Sequence, residues 1–375
     1  MFIKYDNRLF TKLNTQHNIM VLVGNGFDLA LLKKYKTGKM KGKTSSYEDF
    51  YEYIKYYKLT DSENILFEKM TEDLDNGKEN WSDFELTIHE LLREGVAEEN
   101  EIERGIDEFQ GYFTKFLNEL VDAELLLKIN AEVQEKKLAR QSLSHFLNDL
   151  NSSCDIEFPK KTDHYDLFNY VFFNFNYTSL LDNYLYLDKV QFEPHKWESA
   201  DRNFEFYPEF DPPVKNPTIW SSYLLTDIIH PHGVQSIPRS ILFGIDMEKY
   251  HKGKSKEKRF VKSYWAQYEI KYESYFRDAE LFIIFGMSLS MTDGWWLDQI
   301  FDAILNNHAE LIIYKYGVED EEAVKETFIK ACIRHKKSLW STEIKEVKKR
   351  IYVVSFKKNN TYFLGFEERV QRRGI

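Results

Sequence analysis

Short, nearly unbroken apolar runs recur along the chain: IMVLV (Ile19–Val23), YVFFNF (Tyr170–Phe175), ILFGI (Ile241–Ile245), LFIIFG (Leu281–Gly286), LIIYKY (Leu311–Tyr316) and IYVVSF (Ile351–Phe356). Runs of this length without polar alternation predict strands buried on both faces. Helical patterns follow several of them, notably GWWLDQIFDAILNN from Gly294 and EEAVKETFIKACIRH from Glu321. Strand and helix in alternation predict an α/β fold built on a Rossmann-like, doubly wound, mostly parallel sheet.

The first and second runs are separated by about 145 residues of charged, helical pattern, where an ordinary crossover needs about 12 to 30. The pattern therefore predicts a large inserted all-helical module over 47–162, with a nucleotide-binding sheet domain formed by 1–46 and 163–375. Within the insert, Ile102, Ile106, Phe109, Phe113, Phe116 and Leu120 recur at spacings of three and four. That places them on one face of a long helix, packed on neighbouring helices or offered as a groove to a partner. Lys189–Thr218 contains PEFDPPVKNP, whose prolines suit neither a helix nor a central strand, and predicts an irregular excursion. KTGKMKGKTSS (Lys36–Ser46) reads as a solvated loop or as a lid facing a phosphate.

Composition narrows the class. The chain has 375 residues, of which 43% are hydrophobic and 16% aromatic, enough for a sizeable core. Its formal charge of -10 argues against broad, sequence-independent nucleic-acid binding, which needs a basic face. Two cysteines, Cys154 and Cys332, are too few for a four-cysteine zinc module or a disulfide framework and point to a reducing, cytoplasmic setting. No apolar stretch approaches the roughly 20 residues that span a bilayer, so no membrane role is expected.

Four strand-to-polar transitions carry the candidate chemistry. In VLVGNGFDLA, Gly24 and Gly26 end a strand and open a helix, which would let backbone N–H groups approach a phosphate. A third glycine is missing at Leu29, and no second strand ending in an acid follows about 20 residues on, which disfavours a dehydrogenase. In FNFNYT, Asn176 either holds a water or ribose hydroxyl or caps the next helix, while Asn174 reads as structural. In IIHPHG, His232 suits a general base better than a metal ligand, since no Cys or acidic pattern at ligand spacing accompanies His230 and His232. In IIFGMSLSMTDGWW, Gly286 and Ser288 suit a second ribose or phosphate, and Thr292 or Asp293 the cap of the helix at Gly294. Trp295 and Trp296 read as core packing.

Taken in order, GNGFDLA, NWSDFE (Asn80–Glu85), FNFNYT, HPHG, ILFGID and FGMSLSMTD resemble the AbiH family of bacteriophage abortive-infection proteins over residues 19–300 in outline. More distantly the same order resembles the sirtuin-like fold, whose NAD-binding sheet carries Gly-Ala-Gly-x-Ser, Thr-x-Asn-x-Asp, His-Gly and Gly-Thr-Ser-Leu. That resemblance implies a catalytic pair of His232 and Asn176. It implies an NAD-facing set of Gly24, Asn25, Gly26, Phe27, Asp28, Gly233, Gly286, Ser288 and Asp293, with both phosphates on the Gly24–Gly26 turn and no metal. Asn25 and Asp28 depart from the usual Ala and Ser, Thr178 stands where the sirtuin Asp would be, and the structural zinc cysteines are missing.

The implied reaction is hydrolysis of the nicotinamide N-glycosidic bond of NAD, depleting the dinucleotide during infection. The insert is then the place for homo-oligomerisation, a defence partner or a phage-derived trigger. Two rivals remain: a nucleotide sensor that signals through the insert without cleavage, and a metal-dependent nuclease-type toxin using His230, His232 and Asp246.

Overall fold

A computed structural model describes residues 1–60, 64–95, 97–151, 153–187, 204–208, 219–245, 257–290, 293–317, 320–332, 341–357 and 360–367. Its centre is a seven-stranded sheet formed by β1 (Gln16–Val23), β2 (Leu167–Asn174), β3 (Phe204–Phe206), β4 (Trp220–Ile229), β5 (Leu281–Phe285), β6 (Glu310–Tyr316) and β7 (Ile351–Phe356). The strand order is β3-β4-β2-β1-β5-β6-β7. Every pairing is parallel except that of β3 with β4. From β1 the chain builds outward through β2 and β4, then returns to the other side of β1 to lay down β5, β6 and β7. The strand order thus reverses direction at β1, where crevices open at the carboxyl ends of parallel strands.

Helix α1 (Gly26–Tyr35) follows β1 directly. The long excursion before β2 is helical as expected: α2 (Tyr47–Tyr57), α3 (Ile65–Asp75), α4 (Phe84–Glu94), α5 (Glu99–Leu120), α6 (Ala123–Lys136) and α7 (Leu138–His145). Local signals start these helices. Ser46, Asn64, Asp83 and Asp122 accept hydrogen bonds from backbone N–H groups in the first turns of α2, α3, α4 and α6. The stripe on α5 faces inward, with Ile102, Phe109, Phe113, Phe116 and Leu120 buried. Aromatic contacts of Phe50 with Phe109 and Phe113 lock α2 onto it. The stripe is therefore core, and it belongs to the same continuous apolar cluster as the sheet. After β2 come α8 (Leu180–Leu185), α9 (Lys262–Trp265), α10 (Tyr268–Asp278), α11 (Gly294–Asn307), α12 (Glu321–Ala331) and α13 (Ser341–Lys349). Among the described residues no helix is long and apolar enough to cross a membrane.

Two expectations about strands need correction. ILFGI forms no strand; Ile245 makes only an isolated bridge with Val261. Its apolar residues are buried against the insert, Phe243 edge-on to Phe84 and Phe113, so the run is apolar because it covers helices. Conversely, WSSYLLTDII is the long strand β4, whose mixed burial leaves no continuous apolar run to find. Within Lys189–Thr218, Phe204–Phe206 pair antiparallel to β4, and most of PEFDPPVKNP lies outside the described residues.

Candidate functional site

The register of the central strands brings the polar transitions to one edge. Val23 lies level with Asn174 and with Phe285, and Phe173 with Ile229, so the residues just beyond β1, β2, β4 and β5 emerge together. They border a cleft of about 860 Å³. Gly24, Asn25, Gly26, Asp28, Asn176, His232, Gly286, Ser288 and Asp293 all line it. The insert forms the facing wall through Tyr47, Asn80, Asp83, Glu85, Phe113 and Leu117.

The two glycines after β1 are needed because another backbone touches them. Gly24 N–H donates to the Phe285 carbonyl and Gly26 N–H to the Gly286 carbonyl, both at 2.9 Å. A β-carbon on Gly26 would lie 2.7 Å from Gly286 Cα, and one on Gly24 would lie 2.8 Å from the Gly286 oxygen. Gly286 answers with φ +69, a left-handed conformation that favours glycine. The N–H groups of Gly24 and Gly26 are therefore taken by the chain's own β5 turn, so a phosphate on the Gly24–Gly26 turn would need other donors.

Two expected ligand residues are not brought to the cleft. The Phe27 side chain is fully buried and turns into the core against Tyr184, Phe285 and Phe366. Gly233 serves the turn after His232, where its φ of +87 and the Ser240 carbonyl, 2.0 Å from any added β-carbon, both demand glycine. Asn25 stands at the cap position of α1 without capping it; its Oδ1 accepts from Ser45 Oγ at 2.6 Å. The Lys/Gly loop contributes Ser45 to the cleft, whereas Lys36, Lys39 and Lys43 pair with Asp122, Glu119 and Asp49.

Asn176 is buried and does not cap α8, whose cap position is Ser179. Its Nδ2 donates to the Gly24 carbonyl at 3.2 Å, tying the β2 end to the β1 turn. Asn174 accepts from Asn176 N–H through Oδ1 at 3.1 Å, the structural role expected of it. The two histidines part company. His230 Nε2 binds Asp182 at 3.0 Å, while His232 lines the cleft beside the rings of Phe175 and Tyr177. Burial, with the nearby Lys262 charge, holds the His232 imidazole well below its usual range, so it is neutral at physiological pH. Among the described residues no group of three or more His, Cys, Asp and Glu is placed to hold a metal ion, and Asp246 lies outside them.

The electrostatics of the cleft centre on Lys262, which motif reading passed over, and on Glu85, Asp293 and Asp28, which lay in the motifs or in the expected site. Lys262 Nζ lies 2.8 Å from Glu85 Oε2 with both side chains buried, joining α9 to the NWSDFE segment of the insert. Burial pushes the Glu85 carboxyl up, the Lys262 charge offsetting part of this. Asp293 occupies the cap position of α11 but makes no capping bond. Burial raises its carboxyl to about 6, against the pull of Lys262. Asp28 in the first turn of α1 is wholly buried; Thr178 Oγ1 donates to its Oδ2 at 2.6 Å, and Oδ1 has no well-formed hydrogen bond. Burial pushes this carboxyl up to about 7, with the Thr178 bond pulling the other way. Carboxyls poised near neutrality beside a neutral imidazole can move protons and stabilise a developing cation. Lys262 gave no sequence signal beyond a lysine set in an apolar context, FVKSYW.

Residues 20–316 match the family described as bacteriophage abortive infection AbiH, and the chain belongs to that family. None of the curated proteins matches it.

Proposed function

We propose that this protein is an abortive-infection effector that binds NAD in the cleft at the carboxyl edge of its sheet and hydrolyses the nicotinamide N-glycosidic bond. One observation carries the reading: Asn176, His232, Asp28 and the Gly286–Ser288 turn, far apart in sequence, border a single cleft where the strand order reverses. That is the place where doubly wound, Rossmann-like and sirtuin-like sheets hold nucleotides.

In this mechanism Asn176, fixed through Nδ2 by the Gly24 carbonyl, offers its amide oxygen to the attacking water. Neutral His232 accepts the proton from that water or from a ribose hydroxyl. The water oxygen bonds to the ribose carbon, the C–N bond breaks with its electron pair going to the ring nitrogen, and nicotinamide leaves neutral. The cationic transition state is stabilised by the carboxyls of Asp293, Glu85 and Asp28 around it.

The insert supplies one wall of the cleft, so a trigger or a second copy of the chain acting on the insert has a direct route to the site. The same fact supports a second reading, a sensor that binds the nucleotide without cleaving it. Proton NMR of NAD with wild-type protein and His232→Ala separates the two. Nicotinamide released only by wild type supports hydrolysis; broadened NAD signals without product support the sensor; unchanged spectra with both proteins count against NAD as the ligand.

A further inference from the structure

Charged side chains line the cleft unevenly: Asp28 and Lys33 stand on α1, one cluster gathers around Lys262, and Lys315 stands on β6. Glu85 and Asp293 both interact with Lys262, and each also feels the charge of Asp83, so this side of the cleft carries three carboxyls and one ammonium. Lys315, the penultimate residue of β6, lines the same cleft in the opposite condition. It is half-buried, its Nζ donates to the Met287 carbonyl at 3.4 Å, and no carboxylate pairs with it among the described residues. Burial lowers its ammonium from the usual range. A partly desolvated cation without a counter-ion is costly to keep, and an anionic ligand removes that cost. The turn holding Met287 continues into Ser288, which is exposed to the cleft and has a hydroxyl to donate. The glycine turn, by contrast, has the N–H groups of Gly24 and Gly26 engaged, and the Asp28 carboxyl lines the cleft from the same part of the chain.

We propose that Lys315 and Ser288 form an anion subsite for a phosphate or diphosphate, and that the Asp83–Glu85–Asp293 side of the cleft receives the cationic end of the ligand. Such a bipolar cleft matches a dinucleotide with an anionic diphosphate and a cationic pyridinium ring. That orientation rests on the proposed function, whereas the anion subsite stands without it. Ligands of this class range from free pyrophosphate to nucleoside diphosphates, and separate arms of the test distinguish them.

The test titrates inorganic pyrophosphate and ADP-ribose into wild type, Lys315→Gln and Lys330→Gln, an exposed lysine on α12 as control. Loss of a charge-assisted bond predicts affinity weakened about tenfold to a hundredfold in Lys315→Gln and unchanged in Lys330→Gln. Thermal melting of Lys330→Gln should match wild type and that of Lys315→Gln should be no lower, since it removes a partly desolvated charge, and nicotinamide riboside, which lacks the diphosphate, should bind wild type and Lys315→Gln alike. Pyrophosphate bound but ADP-ribose not would limit the subsite to free phosphates. No binding of either by wild type, or equal binding by Lys315→Gln, overturns the subsite. If pyrophosphate binding depends on Lys315 yet NAD is never cleaved, the hydrolase reading fails alone. If Lys315→Gln cleaves NAD with an unchanged KM, the subsite fails alone.

Discussion

At the amino end of the sheet, His17 of β1 sits between Asp166, one residue before β2, and Glu280, one residue before β5. The distances are 3.0 Å at Nε2 and 2.9 Å at Nδ1. Asp166 also accepts from Thr15 N–H, and nearby Glu310 accepts from the backbone of Glu157 and Phe158. In the cleft at the carboxyl end of the same strands, Asp28 Oδ1 and Glu85 Oε1 are buried without a well-formed hydrogen bond, and Lys315 has no carboxylate partner among the described residues. One end satisfies its buried charge and the other leaves it open. Unsatisfied buried groups cost stability, so two carboxyl oxygens left open in one cleft mark a place where a ligand can complete the structure.

That contrast is open to attack from both ends. The largest expected effect is on catalysis: His232→Ala should slow nicotinamide release by about 10²- to 10⁴-fold while NAD binding, read by line broadening, survives. A variant that cleaves at the wild-type rate would remove His232 from the mechanism. At the opposite end, His17→Ala leaves two carboxyls facing each other and should destabilise the fold by about 3–5 kcal/mol in chemical denaturation. Activity per folded molecule should be unchanged.

The same triad predicts a pH dependence. Burial disfavours the charged imidazole, but the hydrogen bonds and charges of Asp166 and Glu280 outweigh it and raise His17 to about 9 from 6.5. Its stabilisation is therefore fully present below about pH 6.5 and is lost as pH rises through about 9. Melting curves of wild type should fall across that window more steeply than those of His17→Ala.

Gly26→Val tests the reading of the glycine turn. Because its β-carbon would strike Gly286, it should cost about 1–3 kcal/mol of stability as well as ligand binding. A variant that melts like wild type but cannot bind would restore the phosphate-seat view. The smallest effect is a gain: Asp28→Asn should stabilise the protein by about 0.5–2 kcal/mol near pH 8 while lowering activity. Ionising Asp28 costs the fold increasingly between its ordinary 3.8 and about 7, so the gain should vanish below about pH 4. A variant less stable than wild type at pH 8 would mean that the carboxylate is satisfied after all.

The sequence by itself determined the parts whose physics is local. Apolar runs placed β1, β2, β5, β6 and β7, the charged helical pattern and the α5 stripe marked the helical excursion, and the family was legible in short motifs, most of them at strand ends. ILFGI and β4 escaped because burial against helices and burial in a sheet leave similar runs, while a mixed-burial strand leaves none. Tertiary structure alone decided what the glycines touch, since only the parallel register sets Gly286 against Gly24 and Gly26. It alone paired Lys262 with Glu85, 177 positions apart, and set Lys315 against the Met287 carbonyl with no carboxylate partner among the described residues. Hydrophobic period and capping act within a few residues along the chain, whereas charge pairing and desolvation depend on which distant segments share the same few ångströms.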